Sequence, residues 1–406
     1  MKRTLMNGRK RLLVIGAGFL QDFVICKARA MGYETLAVDG NPEAVGFKHA
    51  DRYKVIDIVD EKACLEYARA EKIDGVLTAA TDYGVLTVAY IAREMGLPGL
   101  DIEVARLIKN KYRVRKCLYE HHVDDTEQAY EVDNATDFAS LSAQIVFPVM
   151  VKPCDGSGSR GASRVDSADM LEYACRAAIE CSRSQKALVE TFIFGKEYGA
   201  ESFVINGEVH VLGVIRKWMT EPPYYAELGH AIPNDLSAET ELYVRECVTK
   251  AIKALGINFG SVNMDMLITA DGKVHIIDIG ARMGGNLIGS HIIPLGTGFD
   301  YIANMVRAAV GDEVDMKRGG ARPVATRLLA LRPGKVESLP NIELIEKNNG
   351  VTVVHRLNIG TEITQYRTNL DGCGYVVVQR DDVENAIAVA DQVRRDVDDG
   401  IKRDGD

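Results

Sequence analysis

Residues Val262 to Gly285 read V-N-M-D-M-L-I-T-A-D-G-K-V-H-I-I-D-I-G-A-R-M-G-G. Two apolar runs flank Asp271-Gly272, a dipeptide suited to a two-residue hairpin turn. With those residues in the turn, Ala270 pairs with Lys273, and counting back sets Asp265 opposite Asp278. Side chains paired this way hold their Cβ atoms about 4.5–5.5 Å apart. Two carboxylates at that distance repel, and one gives up its charge unless a cation lies between them. Met264, Met266 and Ile268 face the other way, toward a core. The hairpin thus offers a carboxylate pair on an apolar base, which suits a divalent ion such as Mg²⁺ carrying phosphate oxygens. It also suits a solvated hairpin bearing two unrelated acids.

Around this stretch the chain has 406 residues, room for two to four domains at roughly 100–200 residues each. Hydrophobic residues at 47% and charged residues at 26% are ordinary for an α/β protein with a full core. The net charge of −9 argues against a nucleic-acid partner, which wants a basic face. A small phosphate-bearing ligand held by a few local cations stays open. There is no apolar run of about 18 residues for a membrane span. The apolar run Leu12–Ile15 is too short for a signal-peptide core. Eight scattered cysteines without C-x-x-C spacing read as reduced thiols, and the expected location is cytoplasmic.

From the N-terminus, a strand over Leu12–Ile15, the turn Gly16-Ala17-Gly18, a helix to about Met31 and a strand Thr35–Asp39 outline a parallel α/β layer. The third glycine of a dinucleotide fingerprint is replaced by Gln21, which argues against a nicotinamide-dependent oxidoreductase. Strands at Lys54–Ile58 and Gly75–Thr78 and a helix near Gly84–Met95 continue the alternation. Asp82, just past a strand, stands where open parallel sheets contact ligands, or caps the next helix. A helix begins at Asn110-Lys111. The strand Phe147–Lys152 leads into P-C-D-G-S-G-S-R-G, Pro153 to Gly161, followed by a strand and not a helix. This is not a Walker A loop; it is a glycine-rich hairpin whose N–H groups can converge on phosphate, with Lys152 and Arg160 adding charge. The alternative is a plain surface hairpin. Leu188–Gly195 is a strand with Glu190 and Glu197 at its ends. Arg216–Ser237 reads as a long irregular segment holding Glu227 and His230, of the kind that often carries function. An amphipathic helix covers Glu239–Leu255. Beyond Ala321, several short strands and a helix at Asp382–Val397 read as an accessory unit.

Taken in order, Asn110-Lys111, Val151-Lys152-Pro153 with Gly-Ser-Gly-Ser-Arg-Gly, Glu190…Gly195-Lys196-Glu197, Asn263-Met264-Asp265, Ile277-Asp278 and Arg282 resemble the ATP-grasp superfamily over nearly the whole chain. The segment P-P-Y-Y-A-E-L-G-H-A-I-P and I-G-A-R-M-G-G-N resemble its amino-acid ligase branch, which includes the bacilysin-type dipeptide synthetases. The resemblance implies an α/β architecture: a parallel N-terminal domain (1–108), a two-lobed α+β ATP-grasp core (109–312, lid about 118–188) and a small C-terminal α+β domain (313–406). It implies ATP and one or two Mg²⁺ ions. By the same resemblance Lys111 and Lys152 hold phosphates, with Gly156, Ser157, Gly158, Ser159, Arg160 and Gly161 closing over them. Glu190 with the backbone of Phe192 and Ile193 resembles the adenine hinge, and Glu197 the ribose carboxylate. Asp265 and Asp278 resemble the metal ligands. Arg282 and His230 resemble the pair flanking an acyl phosphate, and Lys152 joins them as catalytic. Asp82, Glu227, Gly284 and Gly285 complete the expected substrate site. Two departures are visible: Asp278 where glutamate is usual, and Gly280 where asparagine is frequent, with Asn263 on the Asp265 face as a partial replacement. The implied reaction couples a small-molecule carboxylate to an amine, with a homodimer as the family's common assembly. The rivals are an ATP-grasp enzyme of purine synthesis or carboxylation, and a non-catalytic nucleotide-binding protein.

Overall fold

A computed structural model of the chain describes residues 8–156 and 158–404. In the N-terminal part, Arg52–Val55, Glu34–Asp39, Arg11–Ile15 and Gly75–Leu77 lie side by side as a parallel sheet. The run Leu12–Ile15 is fully buried because it alternates between two cores. Leu12 and Val14 pack on one face, Leu13 and Ile15 on the other, as a parallel sheet covered on both sides requires. Gln21 folds back over the glycine turn and donates to the Ala79 carbonyl. A Cβ on Gly18 would stand 3.0 Å from its Oε1. The Asp39 carboxylate accepts from the Ala17 and Asn41 N–H groups. The groups a dinucleotide would need are therefore already used within the layer.

Two larger antiparallel sheets follow, with a small three-stranded one near the C-terminus. The smaller of the two runs Ala129–Val132, Ala187–Thr191, Val149–Pro153, Ser163–Val165 and carries its own apolar core with the helix Leu171–Cys181. The larger has eight strands in the order Val274–Gly280, Gly260–Ile268, Lys196–Ile205, Glu208–Met219, Glu227–Ile232, Val324–Leu328, Gly374–Gln379, Thr352–His355. This sheet runs on past residue 312: Gly229 pairs with Arg327 and Ile232 with Val324. The C-terminal residues add a core of their own against the helix Val383–Gly400.

The opening hairpin reaches the expected pairing by an unexpected route. Its turn is longer than two residues, with the Thr269 N–H donating to the Lys273 carbonyl (3.0 Å) and Ile268 pairing with Val274. The ladder is thereby one residue out from the count made on sequence. A β-bulge then takes in Ile277, so that Met266 faces Ile276 while Asp265 faces Asp278. The longer turn and the bulge cancel. Met264, Met266 and Ile268 are buried, as their alternation requires.

The segment expected to be irregular over Arg216–Ser237 contains two stretches of sheet. Arg216–Met219 ends one strand and Glu227–Ile232 forms another, leaving a short connection between them. These strands carry polar residues on a buried face, so their pattern hid them. Lys217 and His230 are cross-strand partners, and the Trp218 ring meets the guanidinium groups of Arg216 (4.5 Å) and Arg327 (4.1 Å).

Candidate active site

A cavity of about 460 Å³ opens between the small sheet and the eight-stranded sheet. Lys111, Lys152, Gly156, Gly158, Ser159, Arg160, Glu190, Phe192, Ile193, Glu197, Glu227, Asp265 and Asp278 all line it. Residues more than 150 positions apart thus meet at one site. Ser157 lies outside the described residues.

One end of the cavity is aromatic. Phe192 and Phe194 meet edge to face at 5.0 Å, and the Arg164 guanidinium lies 4.8 Å from the Phe192 ring. Glu190 lines the cavity beside Phe192 and Ile193, but its carboxylate is already engaged by protein cations. It is buried, with Oε2 on Arg115 (2.8 Å) and Oε1 on Lys152 (2.6 Å). Burial opposes its charge, yet Arg115 and Lys152 outweigh that and hold its pKa below the usual value. Glu190 therefore fixes Lys152 from beneath, and Phe192, Ile193 and Phe194 form the wall of the cavity itself.

The other end is ionic. Lys111, first residue of the helix that Asn110 caps, reaches Asp278. Burial works against ionised Asp278, and Lys111 followed by Lys152 keep its pKa low. Sequence reasoning missed Lys217. Its ammonium, with a side chain 1% exposed, contacts Glu197 (2.7 Å), Glu227 (2.8 Å) and Asp265 (2.9 Å). Burial disfavours the charge on Lys217, but the three acids together raise its pKa well above normal. Burial lifts Glu197 to about 7, even against Lys217, and raises Asp265 as well. Glu227 goes the other way: Lys217 and then His230 overcome burial and hold it well below its ordinary value. The one signal for Lys217 in the sequence was a lysine inside an apolar run, which only its partners explain.

His230 departs from the expected catalytic position. It is fully buried in mid-sheet, with Nε2 3.3 Å from Glu227 Oε2, and it supports Glu227 from below without lining the cavity. From the C-terminal residues, Asn369 Oδ1 accepts the Glu227 N–H (2.8 Å) and the Tyr366 hydroxyl donates to the Glu227 carbonyl.

Arg282 and Asp82 stand beside the cavity as a two-pronged pair (2.9 and 3.1 Å) joining the N-terminal layer to the core. Asp82 thus holds an arginine and does not cap a helix. Arg282 also donates to Asn263 (2.9 Å), whose amide donates to Glu201 (2.7 Å). The Gly284 N–H donates to Glu201, and Gly285 faces Leu20 and Ala80. Gly280 now has a physical reason. A Cβ there would lie 2.7 Å from Asp82 Oδ1 and 3.1 Å from Arg282 Cζ, so the arginine pair fills the space an asparagine would take. Asn263, facing Gly280, is bound to Arg282 and Glu201 and does not replace it.

The glycine loop is docked at both sides. Ser159 Oγ donates to the Tyr225 carbonyl (2.9 Å), and Arg160 donates to the Tyr83 hydroxyl (2.9 Å). Among the described residues all eight cysteines are free thiols and no helix is long and apolar enough to cross a membrane.

A family model described as "ATP-grasp domain" matches residues 145–290, and one described as "L-amino acid ligase C-terminal domain 2" matches residues 327–398. The chain belongs to the ATP-grasp ligases. An uncharacterized protein of Sinorhizobium fredii is 27% identical to this ligase over 361 residues, covering 86% of this chain and 74% of that one. Carnosine synthase 1 of Homo sapiens is 25% identical over 338 residues, covering 76% of this chain but only 40% of that longer protein. The crystal structure of L-amino acid ligase from Bacillus licheniformis shares the fold at a TM-score of 0.82 and 24% identity, over 98% of both chains. In this ATP-grasp ligase, the C-terminal match contains Tyr366 and Asn369, the residues that reach Glu227.

Proposed function

We propose that the chain activates a substrate carboxylate as an acyl phosphate with ATP and Mg²⁺, then couples it to the amine of an amino acid, releasing ADP and phosphate. The observation that carries this reading is the cavity itself, aromatic at one end and lined at the other by lysines and paired acids. The aromatic wall suits a flat base, and Lys111 and Lys152 suit the phosphates. Asp265 and Asp278 fit Mg²⁺ by chemistry: both are hard oxygen donors, and they are direct cross-strand partners. There the ion would help neutralise the triphosphate.

The residues of the chain do the rest by position and charge. Carboxylate and triphosphate repel, and Lys111, Lys152 and Arg282 offset that repulsion. A carboxylate oxygen attacks the γ-phosphorus and the bond to ADP breaks. The amine nitrogen then attacks the acyl carbon, loses a proton, and the carbon–oxygen bond to phosphate breaks. Arg282, aimed by Asp82 and Asn263, is the group we assign to the oxyanion. Glu227, kept ionised by Lys217 and His230, is a weak base and a good acceptor for the amine. The docked glycine loop keeps water from the acyl phosphate. The choice of an amino acid rests on the C-terminal match.

The test is phosphate release from ATP and Mg²⁺ against the twenty amino acids, singly and in pairs, with product masses. Release that needs an amino acid and yields a condensed product is the expected result. ATP binding with no amino-acid-dependent release across the panel would overturn the assignment.

A further inference from the structure

Resting on that reading of the cavity, we infer that Arg115 is a positioning residue that sets both Lys152 and Asp278 by pinning the β-bulge at Ile276–Ile277. Arg115 follows Lys111 by four residues on the same helix, so the two share a face. It is 5% exposed, and its nitrogens point three ways. Nε donates to Glu190 (2.8 Å), one terminal nitrogen to Asp124 (2.7 Å), and the other to the Ile276 carbonyl. Asp124 also accepts the Ile276 N–H (3.1 Å), and Lys152, held by Glu190, donates to the Ile277 carbonyl (2.8 Å).

The bulge needs this support. Val274–Gly280 is the edge strand of its sheet, so its outward N–H and C=O groups have no neighbouring strand, and the extra residue of the bulge breaks the ladder further. Such groups cannot be buried unpaired without cost. Here side chains from three separate elements take them up. The consequence lies one residue on. Below the bulge Ile268 pairs with Val274 and Met266 with Ile276. Continued without a bulge, that ladder would set Ile277 opposite Asp265 and turn Asp278 to the apolar face, since a one-residue slip reverses every side chain. The bulge thus decides whether a carboxylate faces the cavity. Arg115 ties that decision to the placement of Lys152. A lysine at 115 would keep the charge but could not hold three acceptors in one plane.

The experiment measures MgATP and Mn²⁺ binding by calorimetry, without acceptor, for wild type, Arg115→Lys and Asp124→Asn, beside melting curves. We expect Arg115→Lys to weaken metal-nucleotide binding about 10-fold or more while folded, as loss of a group that orients a ligand does. Asp124→Asn, close to isosteric, should shift it the same way by less, and it carries the test if Arg115→Lys does not fold. Unchanged affinity in the folded variants, with or without a lower melting temperature, overturns the inference alone. A wild type that binds no MgATP overturns the reading of the cavity and the inference with it.

Discussion

Lys217→Met isolates the electrostatics of the site. The ammonium it removes is the common partner of Glu197, Glu227 and Asp265, at 2.7–2.9 Å. Carboxylate oxygens of these three lie within 4.8 Å of one another. Removing one partner of a buried ion pair costs about 3–5 kcal/mol, because the charges left behind are unpaired. Unfolding entropy of about 2.1 cal/mol/K per residue, about 0.85 kcal/mol/K for this length, converts that to a loss of about 4–6 °C in melting temperature. The pH dependence gives the sign. Glu197 already stands at about 7 in the folded protein, above its ordinary 4.5. Stability from its protonated form is present at low pH and lost as pH rises through about 7. Without Lys217 Glu197 and Asp265 move further up and Glu227 loses the partner that holds it low, so the deficit should be largest near pH 8 and shrink toward pH 5 as the acids take up protons. Scanning calorimetry with a chelator present, from pH 5 to 8.5, reads this directly. A deficit below about 1 kcal/mol at pH 8, or one that stays constant as pH falls, refutes the argument.

Lys152→Ala and Asp278→Ala should each abolish ATP turnover with circular dichroism unchanged; near-wild-type rates in either contradict the assigned roles. Gly280→Asn should push Asp82 off Arg282 and cost about 1–3 kcal/mol by overpacking, and a variant as stable and active as wild type would show that the space is not filled. Burial raises Glu201 to about 8, so its stabilising protonated form is lost as pH rises through that value. Glu201→Gln should therefore match wild type near pH 6.5 and outlast it in thermal melts at pH 9, and parallel curves would refute this.

Local order was legible where side-chain type and backbone geometry are coupled over a few residues. Alternation in Leu12–Ile15 needed only a layer on each side, and the Asn110 side chain caps its helix by accepting from the Arg113 N–H. The glycine run Gly156–Gly161, with its lysine ahead of it and a strand behind, separated this loop from a Walker A. Reading failed where a polar residue sits on a buried strand. Lys217, Glu227 and His230 break the apolar pattern locally, and the partners that make them tolerable come from strands far apart in sequence. Arg115 was hidden in the same way, as an arginine on a charged helix whose acceptors lie 9, 75 and 161 residues away.

The amino-acid order by itself determined the layers and the glycine loop, because each follows from local period or turn chemistry; the facing of Asp265 toward Asp278 was read on a turn shorter than the real one. Only the tertiary structure decided how that facing arises and what surrounds it. Turn length and bulge trade against each other at no cost to pattern, so spacing alone cannot distinguish them. Which cation balances which carboxylate depends on strands and helices brought together from across the chain. That is why Gly280 made room for an arginine pair and Lys217 came to stand among three acids.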